Sequence, residues 1–191
     1  MYNVKIVFDG EMRDRDKDWF KFTSEQYSFF HDPARLFFMK AKIKGLSTHG
    51  YHCYKNQAAS MRIKVLSLIP VVELDEPELF PTETVTFFND LCMFAPAALI
   101  DERIIWKTID DYSVKAVFTN KGTRISAVLY FNEKGQLVNF ISEDRIALDE
   151  RKTYPFSTPE SKYQKCKWLQ PTNIWQGRLA LSRWGVCVLE V

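Results

Sequence analysis

The residue pattern predicts a mainly β (α+β) protein: one strongly curved antiparallel sheet, or incomplete barrel, of about 9–11 strands, with one main helix over about residues 82–95 covering its concave face. Three observations lead there. Aromatic residues, 15 Phe, 8 Tyr and 5 Trp, make up 15% of the chain, and such rings favour half-buried pleated strands. Apolar residues alternate with period two through many short segments bounded by turn residues. Only one segment has helical spacing, so βαβ crossovers are missing and the strands are expected to pair antiparallel. No repeat and no composition shift interrupts the 191 residues, which predicts a single domain over 1–191.

The elements follow in order. Val4, Ile6 and Phe8 alternate on one face of a first strand, up to the turn or bulge signal Asp9-Gly10. The charged run Asp14–Asp18 is a solvated loop, and Pro33 closes the aromatic element that begins near Trp19. Phe37, Met39, Ala41 and Ile43 then alternate with Leu36, Phe38, Lys40 and Lys42, a set that turns polar halfway along. Met61, Ile63 and Val65 against Arg62 and Lys64 describe a half-exposed strand. Asp75 to Pro81, acidic and with two prolines, reads as a connector. Val85, Phe88, Leu91, Cys92 and Ala95 repeat at helical spacing, and Pro96 ends that helix.

The second half returns to a β rhythm. Asp110-Asp111 is a hairpin turn. Asn120-Lys121-Gly122 separates Val114, Ala116 and Phe118 from Ile125, Ala127 and Leu129, and Asn132 to Gly135 makes the next turn. Residues 147–161, polar and with Pro155 and Pro159, read as a long loop before the last strands.

Charge and motifs narrow the function. Lys plus Arg number 26 and Asp plus Glu 24, a net of +2, which supplies no general field for nucleic acid. The set Lys162, Lys165 and Lys167 with Tyr163 and Trp168 reads as a solvated strand face, so no nucleic-acid partner is expected. There is no Gly-rich phosphate loop, nucleophile elbow or H-E-x-x-H pattern, so no cofactor and no metal is expected. Cys53, Cys92, Cys166 and Cys187 are widely spaced, and the His49, His52, Cys53 group reads as a polar strand rim rather than a metal site. No run of about 18 uncharged apolar residues exists and no signal-peptide pattern opens the chain. The chain as it stands is therefore expected in the cytoplasm, or membrane-associated or periplasmic if the native chain is longer at its N-terminus.

Ser142-Glu143-Asp144-Arg145 is the most informative polar cluster, because it follows an apolar strand without a turn residue. It reads as a structural ion pair at the strand end or as a polar fixture at a pocket mouth. The string from Phe87 to Arg145, with Pro96-Ala97-Ala98-Leu99, Trp106, Phe131, Gly135, Phe140, Ser142 and Asp144-Arg145, resembles a bacterial family of proteins of unknown function, over roughly residues 17 to 180. The resemblance implies a half-barrel similar to the lipoprotein-localisation carriers, which hold acyl chains between sheet and helices. It implies no catalytic residue.

The expected function is non-enzymatic binding of an apolar ligand, a lipid or acyl chain, between sheet and helix. Phe87, Phe88, Leu91, Trp106, Phe118 and Phe140 would form the walls, and Asp144 and Arg145 the polar rim. The alternative is an interaction or scaffold domain with a solid core, with Trp168, Trp175 or Trp184 exposed. An enzyme would need Asp144 or Cys92 in a cleft. The sequence leaves the oligomeric state open.

Overall fold

A computed structural model gives the architecture. It describes residues 3–13, 17–147, 151–161 and 163, and the backbone alone of 178–179 and 184–190. Lys162, Lys165, Cys166, Lys167, Trp168 and Trp175 lie outside the described residues, as do the side chains of Trp184 and Cys187. The fold is mainly β, with two antiparallel sheets rather than one and with one α-helix among the described residues.

The first sheet is built from β1 (Asn3–Met12), β2 (Phe20–Phe29), β3 (Ala34–Ile43), β4 (Leu46–Lys55), β5 (Ala58–Val65) and β6 (Ile69–Leu74) in sequence order. Two late strands, β12 (Arg178–Leu179) and β13 (Trp184–Glu190), add at the β1 side. The second sheet is a meander of β7 (Ile104–Asp110), β8 (Ser113–Asn120), β9 (Thr123–Phe131), β10 (Leu137–Ala147) and β11 (Lys152–Ser157). The split has a local cause. β6 stops at the Asp75-Glu76-Pro77 connector, the helix follows, and the returning chain pairs with itself through successive hairpins.

The chain forms two compact units. One comprises Glu76–Glu160 with Tyr54–Ala59, the tip of the β4–β5 hairpin; it holds the helix and the five-stranded sheet. The other holds the larger sheet.

In the helical unit, α1 spans Leu79–Phe94, starting earlier than the expected residue 82. Pro81 is the reason. It falls in the first turn, where a backbone N–H has no helical partner to lose. The helix ends at Phe94, and Pro96–Leu99 forms a short 3-10 turn. The turn residues act as their sequence predicts. Lys121 and Gly122 take left-handed φ values of 47° and 88°, the two-residue hairpin geometry. Asn132 accepts N–H bonds from Lys134 and Gln136, both at 3.0 Å, and closes the next turn. The expected loop at 147–161 is corrected in part to strand β11. Pro155 is tolerated there because β11 is an edge strand and Pro155 sits opposite a bulge between Ser142 and Arg145.

In the larger sheet, register puts Phe8, Ser24 and Met39 in one row and Ile6, Gln26 and Phe37 in the next. This face is buried, and Phe22, Phe37 and Met39 pack with Phe8, Met12 and Ala41. It also carries buried polar groups that bond locally. Ser24 Oγ donates to the Phe8 carbonyl at 3.0 Å, Gln26 Nε2 donates to Ser28 Oγ at 3.0 Å, and Arg35 lies 4.8 Å from the Phe37 ring centre. The Asp9-Gly10 signal is a bulge, falling where the β1–β13 register shifts. The run read as one strand from Met61 onward is two, β5 and β6, reversed at Leu66-Ser67.

Candidate functional site

The expected ligand walls form a stacked aromatic layer. α1 packs over β9 and β10. Phe88 stacks on Phe118 with ring centres 5.2 Å apart and meets Phe140 edge-on at 5.9 Å. Phe87 stacks on Phe118 at 6.1 Å and on Tyr54 at 5.5 Å. Phe87, Phe88, Phe118 and Phe140 are at most 1% exposed, and Leu91 is buried beside them. Each such ring contributes about 2 kcal/mol by leaving water, so parting them to admit a ligand costs several times that. Trp106 is not brought to this layer. It pairs with Ala116, but β7 is an edge strand and the ring is 41% exposed.

The polar rim residues serve the sheet. The Asp144 carboxylate accepts the Ser126 backbone N–H at 2.6 Å and the Ser126 hydroxyl at 3.1 Å. The Arg145 guanidinium lies 4.3 Å from the Phe156 ring centre. Nearby polar bonds tie helix to strand: Thr82 Oγ1 donates to the Ile146 carbonyl, and Thr158 Oγ1 donates to Asn89 Oδ1 at 2.6 Å. Tyr54 is sealed in the same unit. Its hydroxyl accepts from Asn120 Nδ2 at 2.6 Å and shares a bond with Thr84 Oγ1 at 3.1 Å. Burial pushes the Tyr54 pKa up, the two bonds only partly opposing it. Burial, then Glu160 and Asp90, pushes the Cys92 thiol up as well, so its nucleophilic thiolate is suppressed.

A different constellation lies on the outer face of β3, β4 and β5. A groove of about 330 Å³ there has Phe38 and Tyr51 as its floor, their ring centres 5.0 Å apart. Lys40, Arg62 and Lys64 stand around it, with His49 held by a 3.2 Å contact to Ser47 Oγ. Met39, Gly50 and Ser67 complete the lining, and none of the lining residues is a carboxylate. Period-two geometry makes this face. Phe38 and Lys40 alternate with the buried Phe37 and Met39, and Tyr51 alternates with His52, which packs against Phe37 at 5.5 Å. Burial and a bond to Cys53 raise the Tyr51 pKa, so its phenol remains a neutral donor. His49, Tyr51 and Cys53 share this face, and the described residues contain no group of three metal-ligating side chains.

Two larger hollows, of about 540 and 530 Å³, lie at hairpin ends of the five-stranded sheet. Two of their polar side chains are engaged in turns. Asp110 Oδ1 accepts the Tyr112 N–H at 2.8 Å, and Asn132 closes its own hairpin. The groove over β3–β5 has exposed cations, of which Arg62 lies 3.5 Å from Glu73.

The sequence reading passed over this site because it summed charge over the whole chain. A local window finds it. Between Pro33 and Val72 lie Arg35, Lys40, Lys42, Lys44, Lys55, Arg62 and Lys64, with no Asp or Glu at all. A near-neutral total thus hides a strongly basic sheet segment.

Fold and site together define a mainly β protein of two antiparallel sheets, one backed by a helix and the other presenting a basic, aromatic-floored groove. The chain belongs to DUF6544, a family of unknown function, whose model matches residues 1–173. No curated protein matches the sequence.

Proposed function

We propose that this protein is a non-enzymatic binding module for an anionic amphiphile, taken up in the groove over β3–β5. One observation carries the reading: Lys40, Arg62 and Lys64 converge on the Phe38–Tyr51 floor with no carboxylate in the lining. Cations of this kind bind a carboxylate or phosphate head, and an apolar floor binds the body attached to it. The acyl ligand expected from the sequence keeps its chemistry in this reading and changes its place. Under α1 it would have to separate rings already in contact, whereas the groove is open. A half-barrel carrier with α1 as its lid is the competing arrangement, and the same experiment separates the two.

The test is calorimetric titration with dodecanoate and dodecyl phosphate below their micelle concentrations. Saturable binding is expected, weakened at least about tenfold by Arg62→Glu with Lys64→Glu, as the loss of two charge-assisted contacts requires. Binding that survives this double change, but falls with Phe118→Leu, overturns the groove in favour of the helix–sheet layer. No binding of either probe overturns the amphiphile reading.

A further inference from the structure

The β5–β6 turn presents apolar side chains that the described residues leave exposed. Leu68 is 80% exposed, Ile69 57%, Val71 55% and Leu66 51%. Leu46, 48% exposed, joins them, because the Leu66 N–H donates to the Ser47 carbonyl at 2.8 Å. That bond draws the β3–β4 and β5–β6 turns together at one end of the sheet. The first turn carries Lys42 and Lys44, and the second is entered from Arg62 and Lys64, all exposed. The turn is also held against local preference. Leu66 and Ser67 take φ values of 52° and 61°, a left-handed region usually left to Gly or Asn in such turns. A cluster of exposed apolar side chains on a strained turn is the kind of patch that marks an interaction surface.

We infer that this end of the sheet docks on an anionic lipid bilayer, with Leu66, Leu68 and Ile69 entering the boundary between headgroups and acyl chains. Cations surround the apolar tip and complement an anionic surface. Lys42, Lys44, Arg62 and Lys64 are exposed on the strands that run into the tip, and Glu73 of β6 lies 3.5 Å from Arg62 as the one carboxylate on β3 to β6. Lysine stems reach along an apolar surface while their ammonium groups remain at headgroup depth. An anionic surface rewards each such cation separately, by about fivefold in affinity. A protein strand added along the β6 edge is disfavoured by Pro70, which removes a backbone donor from that edge strand. The inference does not rest on the groove being occupied, since it is carried by the turn and its exposed leucines.

The experiment is co-sedimentation of the whole chain with vesicles of phosphatidylcholine alone and of phosphatidylcholine with about a third phosphatidylserine. Binding to the anionic vesicles is expected at least about tenfold above the neutral ones, falling as salt rises. Leu68→Glu is expected to abolish it, and Ile105→Glu, on the other sheet and 62% exposed in the parent, to leave it unchanged. Leu68→Trp supplies a readout independent of sedimentation: its emission shifts to the blue on the anionic vesicles. Circular dichroism of each variant checks that the fold is kept. Equal binding to both vesicle types, no binding to either, or loss with Ile105→Glu would overturn the inference. So would a Leu68-dependent dimer by analytical ultracentrifugation without lipid, which would assign the tip to a second copy of the chain. Phe38→Ala, which removes the groove floor and keeps every cation, separates the two proposals: loss of dodecyl phosphate with the Leu68→Trp blue shift kept overturns neither, and loss of the blue shift alone overturns only the docking inference.

Discussion

The two sheets use the same residue type in opposite ways. On the five-stranded sheet, Phe118 stacks on Phe87 and Phe88 of α1 and Phe140 meets Phe88 edge-on, until almost none of their surface meets water. On the larger sheet, successive residues of β3 divide the work. Phe37 goes into the buried cluster with Phe22 and Met39, while its neighbour Phe38 lies 41% exposed against Tyr51 among lysines. Ring content alone therefore does not mark a ligand site. A ring that meets other rings on every side is core, and a ring with one free face and cations at its edge is available for binding.

Truncating one ring in each setting gives the widest contrast. Phe88→Ala should cost about 3–5 kcal/mol, because the helix cannot sink into the hole that it leaves. Phe38→Ala should cost about 1 kcal/mol or less and should instead weaken binding of dodecyl phosphate. Urea denaturation of the two variants measures both costs. Comparable losses would show that the groove floor is part of a core, and the comparison would fail.

Tyr54→Phe sharpens the same contrast with a single atom. The ring stacking on Phe80 and Phe87 is kept, but Asn120 Nδ2 loses its acceptor in a site only 1% exposed. A loss of about 1–3 kcal/mol is expected in the same denaturation assay, the cost of one unmet buried donor. The raised Tyr54 pKa adds a pH signature. A group whose folded pKa is raised adds stability below its unfolded pKa of about 10, and that stability is lost as pH rises through the folded value. The wild type should therefore lose its margin over the Phe variant in alkali.

How much of this was legible in the sequence depends on whether the signal is local. The turns read over Asn132 to Gly135 and over Asn120-Lys121-Gly122 are properties of a few adjacent residues; the first closes as read, and the second reverses on Lys121-Gly122 alone, with Asn120 paired to Thr123 in the strands. Phe87, Phe88, Leu91, Phe118 and Phe140 are all buried where an apolar helix covers an apolar sheet face. Whether they meet across a ligand or across nothing depends on distances of a few ångströms, which no spacing encodes. Trp106 illustrates the same limit, because its face was readable but the reach of α1 over β7 was not. Pro81 and Pro155 read as breakers in the sequence, yet a first helical turn and an edge strand both tolerate proline, so α1 starts earlier than expected and β11 forms where a loop is expected. The basic run of β3 to β5 was fully present in the sequence and needed only a shorter window.

Asp101 tests whether partly exposed charge contributes to the helical unit. Its carboxylate is gripped by Arg103, whose Nε donates at 2.8 Å and whose backbone N–H donates at 2.9 Å. The Arg103 side chain holds the Asp101 carboxyl below its ordinary value, against a smaller opposing effect of burial. A depressed folded pKa means stability that is present above the unfolded value, near 4, and lost as pH falls through the folded one. The wild type should therefore exceed Asp101→Asn by a constant small margin at neutral pH, and the two should converge in acid. Thermal melts from pH 7 down to pH 2 check it; a margin that persists at pH 2 would mean that the carboxylate charge is not its source.

The smallest stability effect belongs to the groove, and there it separates binding from folding. Glu73 reaches Arg62 at 3.5 Å, but the two side chains are 62% and 59% exposed. An ion pair so open to water is worth under about 0.5 kcal/mol, because solvent screens the attraction and two long side chains lose freedom in forming it. Glu73→Gln should therefore leave the urea midpoint nearly unchanged. It also removes the carboxylate that competes for Arg62, so affinity for dodecyl phosphate should rise by a few-fold, with the gain largest at low salt. A core residue cannot behave in this way: any change that alters what Phe88 touches alters stability first. A variant neutral in folding and positive in binding would place Arg62 in the ligand's path, whereas unchanged binding at low salt would leave Arg62 as an ordinary solvated charge.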